Sequence, residues 1–450
     1  MERADAIVIG GGPAGVITAV TAKRTYPDKK VVLIRKVEKG VIPCGIPYVF
    51  RRMESVEKDI LPDKPLESNN IPIYVKNVVE IDRHNKKVIF DDGEEMGYDR
   101  LVLAVGSKPV TPPIPGLELD NVFFVKKDLE HLKKMREAVY NSKKVVIIGG
   151  GFIGVEFADE LSGIEGLDVT IVELLPHCLM AAFDEEFVVP AEEELKKSGV
   201  KVCTGVKVER IEGNGKVEKV VLSSGEVLDA DMVIVAIGAK PNTDLAVQAG
   251  LALGRGGGIW VDEYLRTSDP SIFAVGDCAE KRDFFTRKHT PVMLASTAVA
   301  EARIAGANLW GLKLIRENRG TIATFSTRVG NLALGAAGLT ESVAKREGFE
   351  IITSIAEAPN RHPGCLPGAT KTTVKLIFSK HSGVILGGQV MGGESAGEIV
   401  NIIALAVQAG LTATQIDTLQ IATHPLLTAA PTVYQFVTAA GKALPGICGI

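Results

Sequence analysis

Cys44 lies in "VIPCGIPYVF", directly after Pro43 and followed by Gly45 and Pro47. Pro47 and the apolar run after it predict a helix that starts near Cys44. A helix N-terminus lowers the pKa of a thiol placed there, and the thiolate is the form that attacks sulfur or exchanges electrons. Two glycine patterns could hold the partners for such chemistry. Gly10-x-Gly12-x-x-Gly15 encloses Pro13 and Ala14, and Gly149-x-Gly151-x-x-Gly154 encloses Phe152 and Ile153. In each, the first Gly permits a tight turn and the second lets the backbone approach a pyrophosphate. The third lets helix and strand pack closely. The helix that comes after points its amides and the positive end of its dipole at the phosphates. Each pattern follows a strand-like run, "AIVI" or "VVII", and opens a helix, which is the context a nucleotide loop requires.

The strands after the two loops end differently. "VTIVE" ends in Glu173, whose carboxylate can accept from a ribose 2′-OH and repels a 2′-phosphate, favouring NADH over NADPH. "VVLIR" ends in Arg35, where an acid is usual. Arg35 has three readings: stacking on an adenine, pairing with a phosphate, or a solvated strand-end charge.

These residues need elements to hold them. A chain of 450 residues exceeds one compact core, so two to three domains are expected. With 46% hydrophobic and 24% charged residues the composition is that of a globular, soluble protein. A net charge of −4 argues against nucleic acid or an anionic membrane as partner. The charged N-terminus enters only a short apolar run, and "AGEIVNIIALAVQAGLTA" is broken by Glu398, Asn401 and Gln408, so it reads as a packed helix. Cys44, Cys178, Cys203, Cys278, Cys365 and Cys448 form no C-x-x-C pair, no metal is expected, and a reduced cytoplasm is the expected location. Cys178, Cys203 and Cys278 are expected to pack in cores; Cys365, in "RHPGCLPG", has no assigned role.

Strand-like and helical runs alternate through the first two thirds, and one strand–loop–helix–strand plan occurs twice, which predicts an α/β chain with two Rossmann-like units. "SKPVTPPIPG" looks like the link into the second unit and "AIGAKPNTDL" like the link out. From about Thr321 shorter strands and hairpin signals precede a helix, as in an α+β domain.

Two loops in this order, the early Cys44 and "TSDPSIFAVGDCAE" together resemble the FAD-dependent pyridine nucleotide-disulfide oxidoreductases, over essentially the whole chain. The resemblance implies a discontinuous FAD-binding domain (1–112 and 243–320), an NAD(H)-binding domain (113–242) and a C-terminal dimerisation domain (321–450). It places Gly276 and Asp277 at the flavin, with Asp277 on the ribityl chain. "YDRLVLAVGSKP", carrying Gly106 with Val105 in place of the family's Thr, and "AIGAKPNT", carrying Gly238, match its two Gly-bearing links. "PVMLASTAVAEARIAGANLWG", with Ala295, resembles the helix passing under the flavin.

Lys39 and Val49 occupy the positions five away from Cys44, so the family's C-x-x-x-x-C dithiol is absent. "C-G-I-P-Y" resembles the single-cysteine branch of coenzyme A disulfide reductases, NADH oxidases, NADH peroxidases and polysulfide reductases. The implied reaction is reduction of a low-molecular-weight disulfide, persulfide or polysulfide by NADH (NADPH being the second candidate) through FAD and Cys44, with coenzyme A-linked substrates among the candidates. The alternative acceptors are oxygen and, against the presence of Cys44, a protein partner. Pro13 stands where oxidases and peroxidases of this branch carry His, which counts against a peroxidase and weakens an oxidase. "THPLLTAAP" resembles the segment that brings an acid/base His from the partner subunit of a homodimer; His424 matches it, with Ala429 replacing the orienting Glu. Lys23 and Arg24 fall where coenzyme A disulfide reductases hold nucleotide phosphates, whereas Pro43 replaces the Asn that often precedes the cysteine.

Overall fold

The structure is a computed structural model that describes residues 2–314 and 318–448; Met1, the 315–317 stretch of the expected FAD domain and residues 449–450 lie outside it. β1 (Ala6–Ile9) consists of four fully buried aliphatic residues. It leads through the first glycine loop into α1 (Pro13–Thr25) and then β2 (Val31–Arg35). β1 and β2 are central in a five-stranded parallel sheet completed by Ile73–Val75, Arg100–Leu103 and Ile272–Ala274. Helices cover parallel strands on both faces, which is why these strands read as unbroken apolar runs. The plan recurs in β3 (Lys144–Ile148), α2 (Phe152–Ser162) and β4 (Asp168–Val172). Their five-stranded parallel sheet runs Val122–Phe124, Met232–Val235, β3, β4, Lys201–Cys203. Both loops therefore sit at the carboxyl ends of strands beside a reversal of strand order, where open α/β sheets bind ligands. The two links of the sequence reading pair with each other, Ser107–Pro109 antiparallel to Ala239–Pro241.

α3 (Ala295–Ala307) crosses α1 closely: a Cβ on Gly306 would lie 2.7 Å from the Thr18 carbonyl. Beyond it, β5 (Phe325–Val329) begins a five-stranded antiparallel sheet with Leu332–Gly338, Ile351–Pro359, Lys371–Ser379 and Ile385–Gly392. The expected α+β character holds, but the expected shorter strands do not. Ile351–Pro359 and Lys371–Ser379 are nine residues each, because directly joined antiparallel strands need no crossover helix to limit them. α4 (Ala396–Ala409) packs Val400, Ile403 and Val407 onto this sheet. Its other side leaves Leu405 66% exposed. Among the described residues no helix is long and apolar enough to cross a membrane.

The segment bearing Cys44 comes after the first unit in sequence but packs into the second. Val41, Ile46, Val49 and Phe50 share a core with Leu132, Met135 and Phe157. The Phe50 and Phe157 rings lie 5.1 Å apart, the Tyr140 hydroxyl donates to the Phe50 carbonyl at 2.9 Å, and Arg52 pairs with the buried Glu160 of α2. The C-terminal sheet also holds this helix, with Phe325 against Phe152 at 4.7 Å and the Gly330 amide on Asp159 at 2.8 Å. α2 is thus held by both the Cys44 segment and the C-terminal sheet.

Candidate active site

The two glycine loops solve one steric problem in the same way. Gly10 has φ +122° and Gly149 φ +107°, the region that favours glycine. A Cβ on Gly15 would fall 1.9 Å from the Gly10 carbonyl oxygen, and one on Gly154 1.8 Å from that of Gly149. A Cβ on Gly12 or Gly151 would meet nothing within 4 Å. The middle glycines therefore face open space, and each caps its helix without a side-chain acceptor for the first-turn amides. Those amides need an anion, and a pyrophosphate fits that need.

Both openings belong to one cavity of about 2160 Å³. Its first end is lined by Gly10, Gly12, Pro13, Ala14 and Arg35, its second by Gly149, Gly151, Phe152, Ile153 and Glu173. Gly106, Gly238, Gly276, Asp277 and Ala295 line it between them. Gly15 and Gly154 stand behind the loops, as helix-packing glycines must. The volume and two phosphate-ready ends fit two dinucleotides, FAD and NAD(P)H. His424 lies outside the cavity of its own chain. It is exposed, and its Nδ1 accepts from the Leu426 amide at 3.2 Å. That backbone amide orients the ring where Ala429 leaves no carboxylate.

Arg35 is not a solvated strand-end charge. It is 6% exposed, its stem packs against Gly11, and its guanidinium makes a two-pronged pair with Asp63, Nη1 to Oδ1 at 2.5 Å and Nη2 to Oδ2 at 2.8 Å. Arg35 holds the Asp63 carboxyl below the usual carboxylate range, with Lys39 adding to it at 3.1 Å. Arg35 Nε is buried without a protein partner. Glu173 accepts from the amides of Gly150 and, at 2.7 Å, Leu175, so its carboxylate is tied to the loop that precedes its strand. Lys23 and Arg24 are engaged within the chain, Lys23 with the Pro27 and Lys29 carbonyls and Arg24 with Asn69.

Cys44 is exposed on the cavity wall, in a 3₁₀ helix spanning Pro43–Phe50. A helix does start beside it, as expected, but the expected lowering of its pKa is overturned. Desolvation is the largest cause pushing the thiol up, and the carboxylates of Glu156, Asp277 and Asp59 add to it against the ammonium of Lys127. Cys178 and Cys278 are buried, as expected of core cysteines, and Cys203 is half-buried.

Four contributors escaped the sequence reading. Lys127 reaches from the second unit to Asp277 at 2.9 Å, where the Ser107 hydroxyl also donates at 2.8 Å, and the lysine leads in holding this aspartate below its ordinary range. Lys281, 5% exposed, pairs with Glu301 at 3.0 Å, and Glu301 accepts from the Gly276 amide at 2.9 Å, fixing the turn before Asp277. Asp59 is fully buried with neither oxygen bonded and lies where a Cβ on Gly45 would be, 1.8 Å from Oδ1; burial pushes it up to about 6. Glu156, one helical turn after Phe152, also lines the cavity. Only Glu156 had a signal in the sequence, as a carboxylate on the apolar helix that opens from a nucleotide loop.

Family and structural comparison agree with this geometry. The family model for pyridine nucleotide-disulphide oxidoreductases matches residues 4–302, and that for their dimerisation domain matches residues 324–433. The chain is 35% identical over 431 residues to an NADH oxidase of Methanocaldococcus jannaschii, covering 93% of this chain and 94% of the relative. It is 34% identical over 413 residues to an NAD(P)H coenzyme A polysulfide/persulfide reductase of Pyrococcus horikoshii, covering 90% and 91%. The solved structure of an NAD-dependent persulfide reductase from A. fulgidus superposes with a TM-score of 0.89 at 33% identity, covering 98% of this chain and 83% of that one. This chain belongs to the pyridine nucleotide-disulphide oxidoreductases and is an FAD-dependent NAD(P)H oxidoreductase.

Proposed function

We propose that the chain reduces a low-molecular-weight disulfide, persulfide or polysulfide with NADH, through FAD bound at the first loop and Cys44. The observation that carries this reading is the exposed Cys44 thiol on the wall of the cavity that contains both glycine loops. Bound there, FAD accepts the hydride and passes two electrons on. The chain's own residues do the rest. The loop amides and Asp277 hold the flavin nucleotide, Arg35 and Asp63 close its adenosine end, and Glu173 selects NADH. Cys44 bonds to one sulfur of the substrate's S–S bond as the other sulfur leaves, and the two electrons then break that new bond and return Cys44 to the thiolate. The domain limits are 1–112 with 243–320 for FAD, 113–242 for NAD(H) and 321–450 for dimerisation.

The working unit is a homodimer in which His424 of each subunit serves the other's site. The matching dimerisation domain supports this, as do Leu405, Leu426 and Leu427, which are 66, 51 and 69% exposed in the single chain. The cytoplasm is the proposed location, given six free cysteines. A second reading, reduction of oxygen, is favoured by the Methanocaldococcus relative named NADH oxidase. One variant separates the two. Cys44→Ser is expected to lose reduction of sulfur acceptors by orders of magnitude while keeping FAD, hydride transfer from NADH and slow NADH consumption by oxygen. If Cys44→Ser keeps near wild-type turnover with coenzyme A disulfide and polysulfide, the thiol is structural and oxygen becomes the leading acceptor.

A further inference from the structure

Reducing a disulfide to two thiols takes two electrons and two protons. NADH supplies both electrons and, with its hydride, one proton; solvent must supply the other. In the proposed dimer His424 comes from the partner subunit, whereas Glu156 lines the cavity with Cys44 in the same chain. We infer that Glu156 carries the solvent proton to the sulfur that departs when Cys44 attacks the substrate. The inference rests on the sulfur-reductase reading above.

Glu156 sits on α2, which the Cys44 segment and the C-terminal sheet both hold. It lines the cavity together with Cys44 and Tyr48. It lies near enough to both that its carboxylate is the leading charge raising each of them. Its Oε1 accepts from the Thr327 hydroxyl at 2.9 Å, which fixes the carboxyl plane from the C-terminal sheet. Burial is the largest influence raising the Glu156 carboxyl; the Thr327 hydroxyl opposes it, and the carboxylates of Glu160 and Asp159 on the same helix add to it. The group is pushed up to about 7. A group raised toward neutrality can both hold and release a proton there, as a general acid must. Cys44 itself faces Lys127, Asp277 and Asp59 besides Glu156.

Atoms and electrons balance. Cys44 attacks as the thiolate: its sulfur bonds to one sulfur of R–S–S–R′, the S–S bond breaks, and R′S⁻ takes the proton of the Glu156 carboxyl to leave as R′SH. Cavity water then reprotonates the carboxylate. The two electrons from NADH break the Cys44–S bond, and RSH leaves with the proton that came with the hydride.

Leaving-group dependence tests this. An alkyl thiolate, of higher pKa, leaves more slowly and gains from a delivered proton, whereas the aryl thiolate of 5,5′-dithiobis(2-nitrobenzoate) leaves fast without one. Glu156→Gln keeps the shape and an acceptor for Thr327. It should lose about 100-fold or more in kcat/KM with coenzyme A disulfide, as general acids do, and less than tenfold with the aryl disulfide. Glu156→Asp should recover part of the loss. In the alkylation of Cys44 by iodoacetamide, a readout independent of turnover, Glu156→Gln should shift the pH midpoint downward. Equal loss with both disulfides, or no loss with either, overturns the role of Glu156 while leaving the reductase reading intact. Wild-type protein that reduces neither these disulfides nor polysulfide overturns the reductase reading instead, and the alkylation midpoint still reports whether Glu156 acts on Cys44.

Discussion

The two glycine loops are nearly superimposable in their constraints and differ in the charged residue one strand further on. Each has a first glycine at strongly positive φ, a third glycine that admits no Cβ, and a middle glycine facing open space. The loop thus builds a phosphate cradle and carries no choice between cofactors. The choice lies at the end of the next strand. Arg35 is buried and locked onto Asp63, whereas Glu173 is held by two amides at the rim of its own loop. In the proposed reading the first site, closed around an internal ion pair, keeps its FAD, and the second presents an anchored charge to a nicotinamide nucleotide that comes and goes.

Breaking the cradles should give the largest effects. Gly10→Ala forces an L-residue to φ +122° with its Cβ 2.1 Å from the Ala104 carbonyl oxygen. It should abolish FAD retention, seen as loss of flavin absorbance in the purified protein. Gly154→Ala, with its Cβ 1.8 Å from the Gly149 carbonyl oxygen, should leave the protein yellow but unable to be reduced by NADH in anaerobic stopped-flow. A Gly154→Ala protein that reduces its flavin at the wild-type rate would show that the second loop does not bind the nicotinamide nucleotide.

The ion pair at the first site comes next. Asp63→Ala strands a 6%-exposed guanidinium, and removing one partner of a buried pair costs about 3 kcal/mol or more. Chemical unfolding should register that loss at pH 7. Because Asp63 is held below its ordinary range in the folded chain, its stabilisation is present above the ordinary aspartate pKa. It is lost as pH falls through the lowered value. Wild type and Asp63→Ala should therefore converge in acid, and parallel curves down to about pH 3, below the ordinary aspartate pKa, would remove the pair from the stability of the site.

The cradles and both parallel sheets were legible in the sequence because they rest on short-range rules. A glycine spacing after an apolar run fixes the turn, and buried parallel strands must be apolar throughout. The partners of the charged residues were not legible, because they are long-range. Arg35 meets Asp63 across twenty-eight positions and Lys127 meets Asp277 across one hundred and fifty. Nothing local distinguishes Asp59, in "SVEKD", from a surface charge, yet it is fully buried behind Gly45. The expected lowering of the Cys44 pKa failed for the same reason. The helix start is local, whereas the burial that chiefly pushes the thiol up and the Glu156 and Asp277 carboxylates that add to it are set by distant segments.

The smallest effect is the most specific to the difference between the loops. Glu173 should give wild type at least a tenfold preference for NADH, about 1.4 kcal/mol of transition-state discrimination. Two sources contribute: a hydrogen bond accepted from the ribose 2′-OH and repulsion of a 2′-phosphate. Substitution can separate them. Glu173→Ala removes both and releases the Gly150 amide, so kcat/KM should fall for NADH and rise for NADPH. Glu173→Gln removes the charge but keeps an oxygen that can accept from that amide and from the ribose. It should hold NADH near the wild-type value while NADPH improves severalfold. Should Glu173→Gln instead lose NADH as severely as Glu173→Ala, the charge is needed to hold the loop amides, and Glu173 acts by shaping the cradle. A wild type that prefers NADPH would remove Glu173 from cofactor choice altogether, and the two loops would then differ only in Arg35.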